Sequence, residues 1–213
     1  AINSSCKCCQ PKVSACCSIW ARISGSASGK GESPSNRALK YSIVIVAGSI
    51  YVRKSDGIYA VSYIFENNGK IVGEIEKHKL VSIEESWGVK PGRTFNPVKT
   101  SAGNIGVCIC YDLDDPKFIK TLVDNGADYI LAPSGGFRPF PNYPFDFAKE
   151  TPQIQRAKEN DIFVLRPYCA GWLFPGLYFQ GNSSVVNRRG EVILRAKNKN
   201  KGFMFSPFAI MKK

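Results

Sequence analysis

Hydrophobic residues come in short continuous runs through most of this chain, punctuated by glycine, asparagine and proline. "YSIVIVAGS" is apolar and β-branched without a break, which predicts a buried strand. "GIYAVSYIF" and "IVGEIEKHKL" flank "NNGK", and the Asn-Gly pair predicts a hairpin with a two-residue turn. "NIGVCIC" and "DYILAPS" read as two further buried strands, and "DIFVLRPY" as another. Between them, "DPKFIKTLVDNG" sets Phe118, Ile119, Leu122 and Val123 on one helical stripe and ends at Gly126, a C-terminal stop. "ETPQIQRAKEN" starts with Thr151 at an N-cap and Pro152 behind it, so a second helix is predicted there. "SSVVNRRGEVILRA" reads as a closing hairpin. Strand–helix–strand units mixed with hairpins predict an α/β fold of packed layers around a mixed sheet.

The first 36 residues follow a different pattern. "AINSSCKCCQPKVSACCSIWARISGSASGKGESPSN" is rich in Ser, Cys and Gly and keeps neither period, and "SGSASGKGESPSN" has linker composition. The expected division is therefore a segment 1–36 without structure of its own and a domain over 37–213. No apolar run is long enough for a membrane helix, and no apolar leader opens the chain, so no membrane partner is expected.

Charge changes this picture little. The net charge is +12, but Lys and Arg are spread along the chain, with one tight run at "RAKNKNKG". No aromatic-interleaved basic motif accompanies them, so a solvated basic surface is expected and no nucleic-acid partner. Of the eight cysteines, Cys6, Cys8, Cys9, Cys16 and Cys17 crowd the start. Their spacing fits no zinc framework, and the single histidine, His78, is distant, so no metal is expected. Cys108, Cys110 and Cys169 lie in apolar text, as reduced thiols of a cytoplasmic protein would.

"NIGVCICYDLDDP" holds the candidate chemistry. Alternation puts Cys108 and Cys110 on one face of the strand, and Cys110 closes the run before the chain turns toward a helix. A thiol at such a turn is exposed at the sheet end and faces backbone N–H groups that favour a thiolate or an oxyanion. Two buried, inert cysteines remain the competing reading of this stretch alone. Asp112 is expected to bond to turn backbone. Arg156 and Glu159 are expected to pair along their helix.

Other segments read in order with this one carry a resemblance. "GVCICYDLDDP" resembles the nucleophile segment of the nitrilase superfamily, the carbon–nitrogen hydrolases. "EIEKHKLV" resembles its lysine segment, with Lys77 at the lysine and with His78 and Lys79 out of the usual order. "VKPG", "NGADYILAPSGG", "RAKEN" and "GNSSVVNRRGEV" resemble its following motifs, and the likeness spans about residues 37 to 205.

The resemblance implies a four-layer α-β-β-α sandwich and a homodimer or larger homo-oligomer, with no cofactor. It implies hydrolysis of a small-molecule amide or nitrile through a thioester on Cys110. Lys77 and the backbone N–H of Tyr111 would hold the oxyanion. Glu85, eight residues past Lys77, matches a second glutamate of amidase and acyltransferase branches. Gly135, Phe137 and Cys169 would line the substrate pocket, although core packing is the stronger competing reading of Cys169; Phe137, Tyr143, Phe145, Trp172, Phe174 and Tyr178, in loops after strands, either line that pocket or simply cover the sheet. The family's general-base glutamate and the strands that carry it have no match upstream, where the one glutamate is Glu32. The chain is then a fragment or faulty gene model, a homologue without its base, or one in which Glu85 partly compensates. With that portion absent, apolar sheet faces would lie open, and poor solubility or marginal stability is expected. A catalytically inactive homologue working through protein contacts, an acyltransferase-like branch and a Cys-rich metal-binding protein are the alternatives.

Overall fold

The structure is a computed structural model and describes residues 33–139, 151–174, 177–181 and 183–196. The five early cysteines, Tyr143 and Phe145 lie outside these residues, as do the side chains of Phe137, Trp172, Phe174 and Tyr178.

The chain enters through helix α1 (Pro34–Tyr41), a few residues before the expected boundary. Ser33 caps it by accepting the Asn36 N–H at 3.1 Å, Pro34 sits in its first turn, and Ser42 ends it in the left-handed region at φ 50°. The first strand therefore starts at Ile45, later than "YSIVIVAGS" suggested.

Strands β1 (Ile45–Arg53), β2 (Ile58–Phe65) and β3 (Ile71–Glu76) form an antiparallel sheet in that order. The β2–β3 turn has three residues, Asn67, Asn68 and Gly69, rather than two: the Glu66 N–H donates to the Lys70 carbonyl and the Gly69 N–H to the Glu66 carbonyl. Gly69 at φ 81° provides the left-handed residue that such a loop requires.

After the short helix α2 (Ser82–Ser86) come β4 (Val98–Thr100) and β5 (Gly103–Val107). A 3-10 turn (Cys110–Asp114) leads into α3 (Pro116–Asp124), and β6 (Tyr129–Leu131) follows. Gly126 at φ 91° stops α3 just past its C-cap. β7 (Phe137–Pro139), α4 (Thr151–Asn160), β8 (Phe163–Arg166), β9 (Ala170–Phe174), β10 (Leu177–Gln180), β11 (Ser184–Val186) and β12 (Val192–Arg195) complete the described chain. The main sheet has six strands in the order β12-β11-β8-β6-β5-β4, with β5, β6 and β8 parallel at its centre. β7, β10 and β9 form a small third sheet.

Alternation along the strands sorts the core into layers. Ile64 and Ile75 of the first sheet meet Ile105, Val107 and Tyr129 of the second. On the second sheet's other face, Cys108, Ile130 and Val164 pack under Phe118, Ile119 and Leu122 of α3 and Ala157 of α4. α1 covers the outer face of the first sheet through Ala38, against Ala47 and Phe65. The order is helix, sheet, sheet, helices, which is the expected four-layer α-β-β-α sandwich.

Candidate active site

β5, β6 and β8 run parallel, so their carboxyl ends emerge together, the place where such sheets bind ligands. The chain leaves β5 still pinned to its neighbour: the Cys108 N–H donates to the Leu131 carbonyl (3.1 Å) and the Cys110 N–H to the Pro133 carbonyl (2.9 Å). At Cys110 the backbone flips to φ 54°, in the left-handed region that a residue with a side chain rarely adopts. This flip ends the strand alternation at Cys110, and the two cysteines differ in burial. Cys108 is fully enclosed in the helix-side core, where burial pushes its thiol pKa well up. Cys110 is partly exposed on the turn.

Asp112 holds this turn. Its side chain is completely buried, and Oδ2 accepts the Ile109 N–H at 2.8 Å. Oδ1 reaches 33 residues back to accept the Lys79 N–H at 2.6 Å. The expected turn bond is present, and a bond joining the cysteine turn to the lysine segment accompanies it. Burial raises the Asp112 pKa to about 6, against the lowering effect of these bonds and of the Lys77 charge.

Lys77 follows β3, its N–H bonded to the Ala60 carbonyl at 2.8 Å. Its ammonium is buried and ion-paired with Glu84. Glu84 Oε2 also accepts the Val81 N–H (2.9 Å), and Oε1 the Tyr51 hydroxyl (3.2 Å). Glu85 is exposed, so the structure corrects the spacing argument: the glutamate placed against Lys77 is residue 84. Adjacent residues on a helix point about 100° apart, and the phase of α2 turns Glu84 inward and Glu85 out.

His78 stacks on Phe118 (centroids 5.0 Å apart) and meets the edge of Phe95, with Nε2 3.8 Å from Asp115 Oδ2. Asp115 in turn caps α3, accepting the Lys117 and Phe118 N–H groups. Lys79 lays its ammonium 4.6 Å from the centre of the Tyr111 ring. The segment 77–79 is thus tied to the Cys110 turn by a carboxylate and a cation–ring contact, and to α3 by an aromatic stack.

Gly135 and Cys169 are neighbours in the structure. The Cys169 N–H donates to the Ser134 carbonyl at 3.0 Å, and a Cβ on Gly135 would lie 3.3 Å from Cys169 Sγ. Phe137 begins β7, its backbone paired with Phe179. Arg156 and Glu159 form their ion pair at 2.8 Å. Arg166 joins this region from β8. Its Nε donates to Ser134 Oγ (3.1 Å), Nη1 donates to Gln153 Oε1 (2.8 Å), and its guanidinium lies over the Tyr168 ring. Nothing local in "VLRPY" announces these partners.

Among the described residues, no group of three or more His, Cys, Asp or Glu side chains could hold a metal ion. No helix among them is long and apolar enough to cross a membrane.

Comparison with known proteins gives the same reading of the chain. Omega-amidase NIT3 of Saccharomyces cerevisiae is 30% identical over 172 residues, 76% of this chain and 58% of that protein. The 2-oxoglutaramate amidase of Bacillus subtilis is 30% identical over 157 residues, 73% of this chain and 58% of the relative. The chain thus spans little more than half the length of these relatives. Among solved structures, a carbon-nitrogen hydrolase from Helicobacter pylori G27 superposes with a TM-score of 0.69 at 25% identity, covering 78% of this chain and 62% of the other. Saccharomyces cerevisiae Nit3, of branch 10 of the nitrilase superfamily, gives 0.66 at 28% identity, covering 84% and 66%. The carbon–nitrogen hydrolase profile matches residues 35–206, most of the chain and every element of the site. This chain belongs to the carbon–nitrogen hydrolase family.

Proposed function

We propose that this chain carries the nucleophile and oxyanion portion of a site that hydrolyses a small amide. The observation that carries the reading is the Cys110 turn: a partly exposed thiol at φ 54° on the end of a buried strand, locked to the Lys77 segment through Asp112. The Cys110 thiolate adds to the amide carbon, and the carbonyl oxygen becomes an anion facing the Lys77 ammonium and the Tyr111 N–H. The C–N bond breaks as the nitrogen takes up the proton that the Cys110 thiol released, the amine leaves, and a thioester remains. Water then adds to the thioester, gives its proton to a carboxylate, and the thiolate departs.

Glu84, rather than Glu85, is the second glutamate of this scheme, because it shares a proton-donating partner with the site in Lys77. The family's upstream glutamate has no counterpart among the described residues, so the proposal assigns to them the nucleophile and the oxyanion groups. Small amides are the substrate class named for the yeast and Bacillus amidases that the chain resembles. The same reading makes the working form a homo-oligomer in the cytoplasm.

Alkylation of the native protein across pH, mapped by mass, tests this. Cys110 is expected to be alkylated faster than the cysteines of the urea-unfolded chain at the same pH, and Lys77→Met to slow it. Cys108, two residues away and fully buried, is expected to stay unmodified. A Cys110 that reacts no faster than the cysteines of the unfolded chain would overturn the reading. Trapping at Cys110 without turnover of any amide would favour the inactive homologue.

A further inference from the structure

Lys79 makes two separate contacts with the residues that follow the nucleophile. Its backbone N–H donates to Asp112 Oδ1 at 2.6 Å. Its ammonium sits 4.6 Å from the centre of the Tyr111 ring, a side chain 38% exposed. Both arms of one residue therefore close on consecutive positions of a turn that begins with Cys110.

The charges around it are otherwise accounted for. Lys77 is ion-paired with Glu84, and Asp115 faces His78. Asp112 turns both carboxylate oxygens to backbone N–H groups. Among the described residues, no carboxylate lies within ion-pair distance of the Lys79 ammonium, and its partner is the face of an aromatic ring. A ring face holds a cation in place without cancelling its charge, so the ammonium keeps its field. Any anion approaching Cys110 meets that field.

Resting on the reading of Cys110 given above, we infer that Lys79 is a positioning residue of this site: its ammonium braces the Tyr111 ring and places a fixed positive charge over the side chain that follows Cys110. The brace holds the Cys110–Tyr111 peptide, whose N–H is the proposed oxyanion donor. The charge favours both a thiolate and a negatively charged ligand at this position.

Two alkylating reagents of similar size and opposite demand test it. Iodoacetate is an anion and iodoacetamide is neutral, so the ratio of their rates at Cys110 reads the local potential. Lys79→Met is expected to lower the iodoacetate-to-iodoacetamide ratio on the order of twofold to fivefold, and 1 M salt to shrink that difference. Lys79→Arg, which keeps a cation over the ring, is expected to hold the ratio near that of the unaltered protein. Tyr111→Leu, which removes the brace and leaves the Asp112 bond, is expected to lower the ratio and serves if Lys79→Met fails to fold. A ratio unmoved by Lys79→Met or Tyr111→Leu, or one that falls equally in Lys79→Arg, would overturn the inference while leaving Cys110 as the nucleophile. Failure of Cys110 to react with either reagent would overturn both.

Discussion

The two adjacent glutamates of α2 differ in everything but sequence position. Glu84 is buried against the Lys77 ammonium and also accepts from Val81 and Tyr51, whereas Glu85 faces solvent. Removing one member of a buried ion pair leaves the other charge without its partner, at a cost of about 3–5 kcal/mol. Removing an exposed carboxylate costs within about 0.5 kcal/mol. Glu84→Ala is therefore expected to lower the urea midpoint sharply, and Glu85→Ala to leave it in place. The reverse ranking would return the second-glutamate role to residue 85. Cys110 stands out as the end of an apolar run, whereas Lys77, flanked by charged residues, stands out only through the motif around it. The choice between Glu84 and Glu85 could not be read from the sequence, because a five-residue helix is too short for periodicity to reveal its phase. The Lys79–Asp112 bond was equally hidden, since it joins positions 33 apart.

At the level of elements, β6 and the turn that follows α3 close tightly on β5 where residue 106 has no side chain. A Cβ on Gly106 would fall 2.6 Å from Ile130 Cδ1 and 3.1 Å from the Ala127 Cβ, inside a packed core. Gly106→Val is expected to destabilise by about 1–3 kcal/mol, with Gly106→Ala nearer the lower end, in urea unfolding followed by circular dichroism. No change in either variant would mean that α3 can shift away from β5. The apolar runs gave β1, β2, β3, β5, β6 and β8 away, since continuous β-branched text has few other uses. α1 was overlooked although "SPSN" holds its cap and its first-turn proline, because the Ser- and Gly-rich text before it masked the start. β9 and β10 were overlooked because "AGWLFPGLYFQ" mixes aromatic residues with glycine and shows no alternation. The extra residue in the β2–β3 turn follows from where Gly69 falls, which the "NNGK" string leaves open.

For the whole molecule, the first sheet has three strands and the second six. Leu39, Tyr41, Ile43, Ile71 and Val72 stay exposed on or beside that smaller sheet, the kind of surface from which poor solubility was expected. Global stability also depends on the buried carboxyl at the centre of the site. Folding raises the Asp112 pKa from 3.8 to about 6, so the native state binds that proton more tightly than the unfolded chain. Its contribution is fully present below pH 3.8 and is lost as pH rises through about 6. The stability of the protein relative to Asp112→Asn is thus expected to fall with rising pH over this window, by on the order of 3 kcal/mol. Urea midpoints of both proteins at the two ends of the window measure it, and a relative stability that climbs instead would contradict the raised pKa.

The enclosure of Cys108 two residues before an accessible Cys110 gives the fold a gauge of its own integrity. A thiol inside the core can meet a reagent only in molecules whose main sheet has opened, so its slow labelling counts the rare open population. Its neighbour reacts in the closed state and records reagent strength in the same peptide. The ratio of the two marks, read in one fragment, reports how often this domain opens without any denaturant being added.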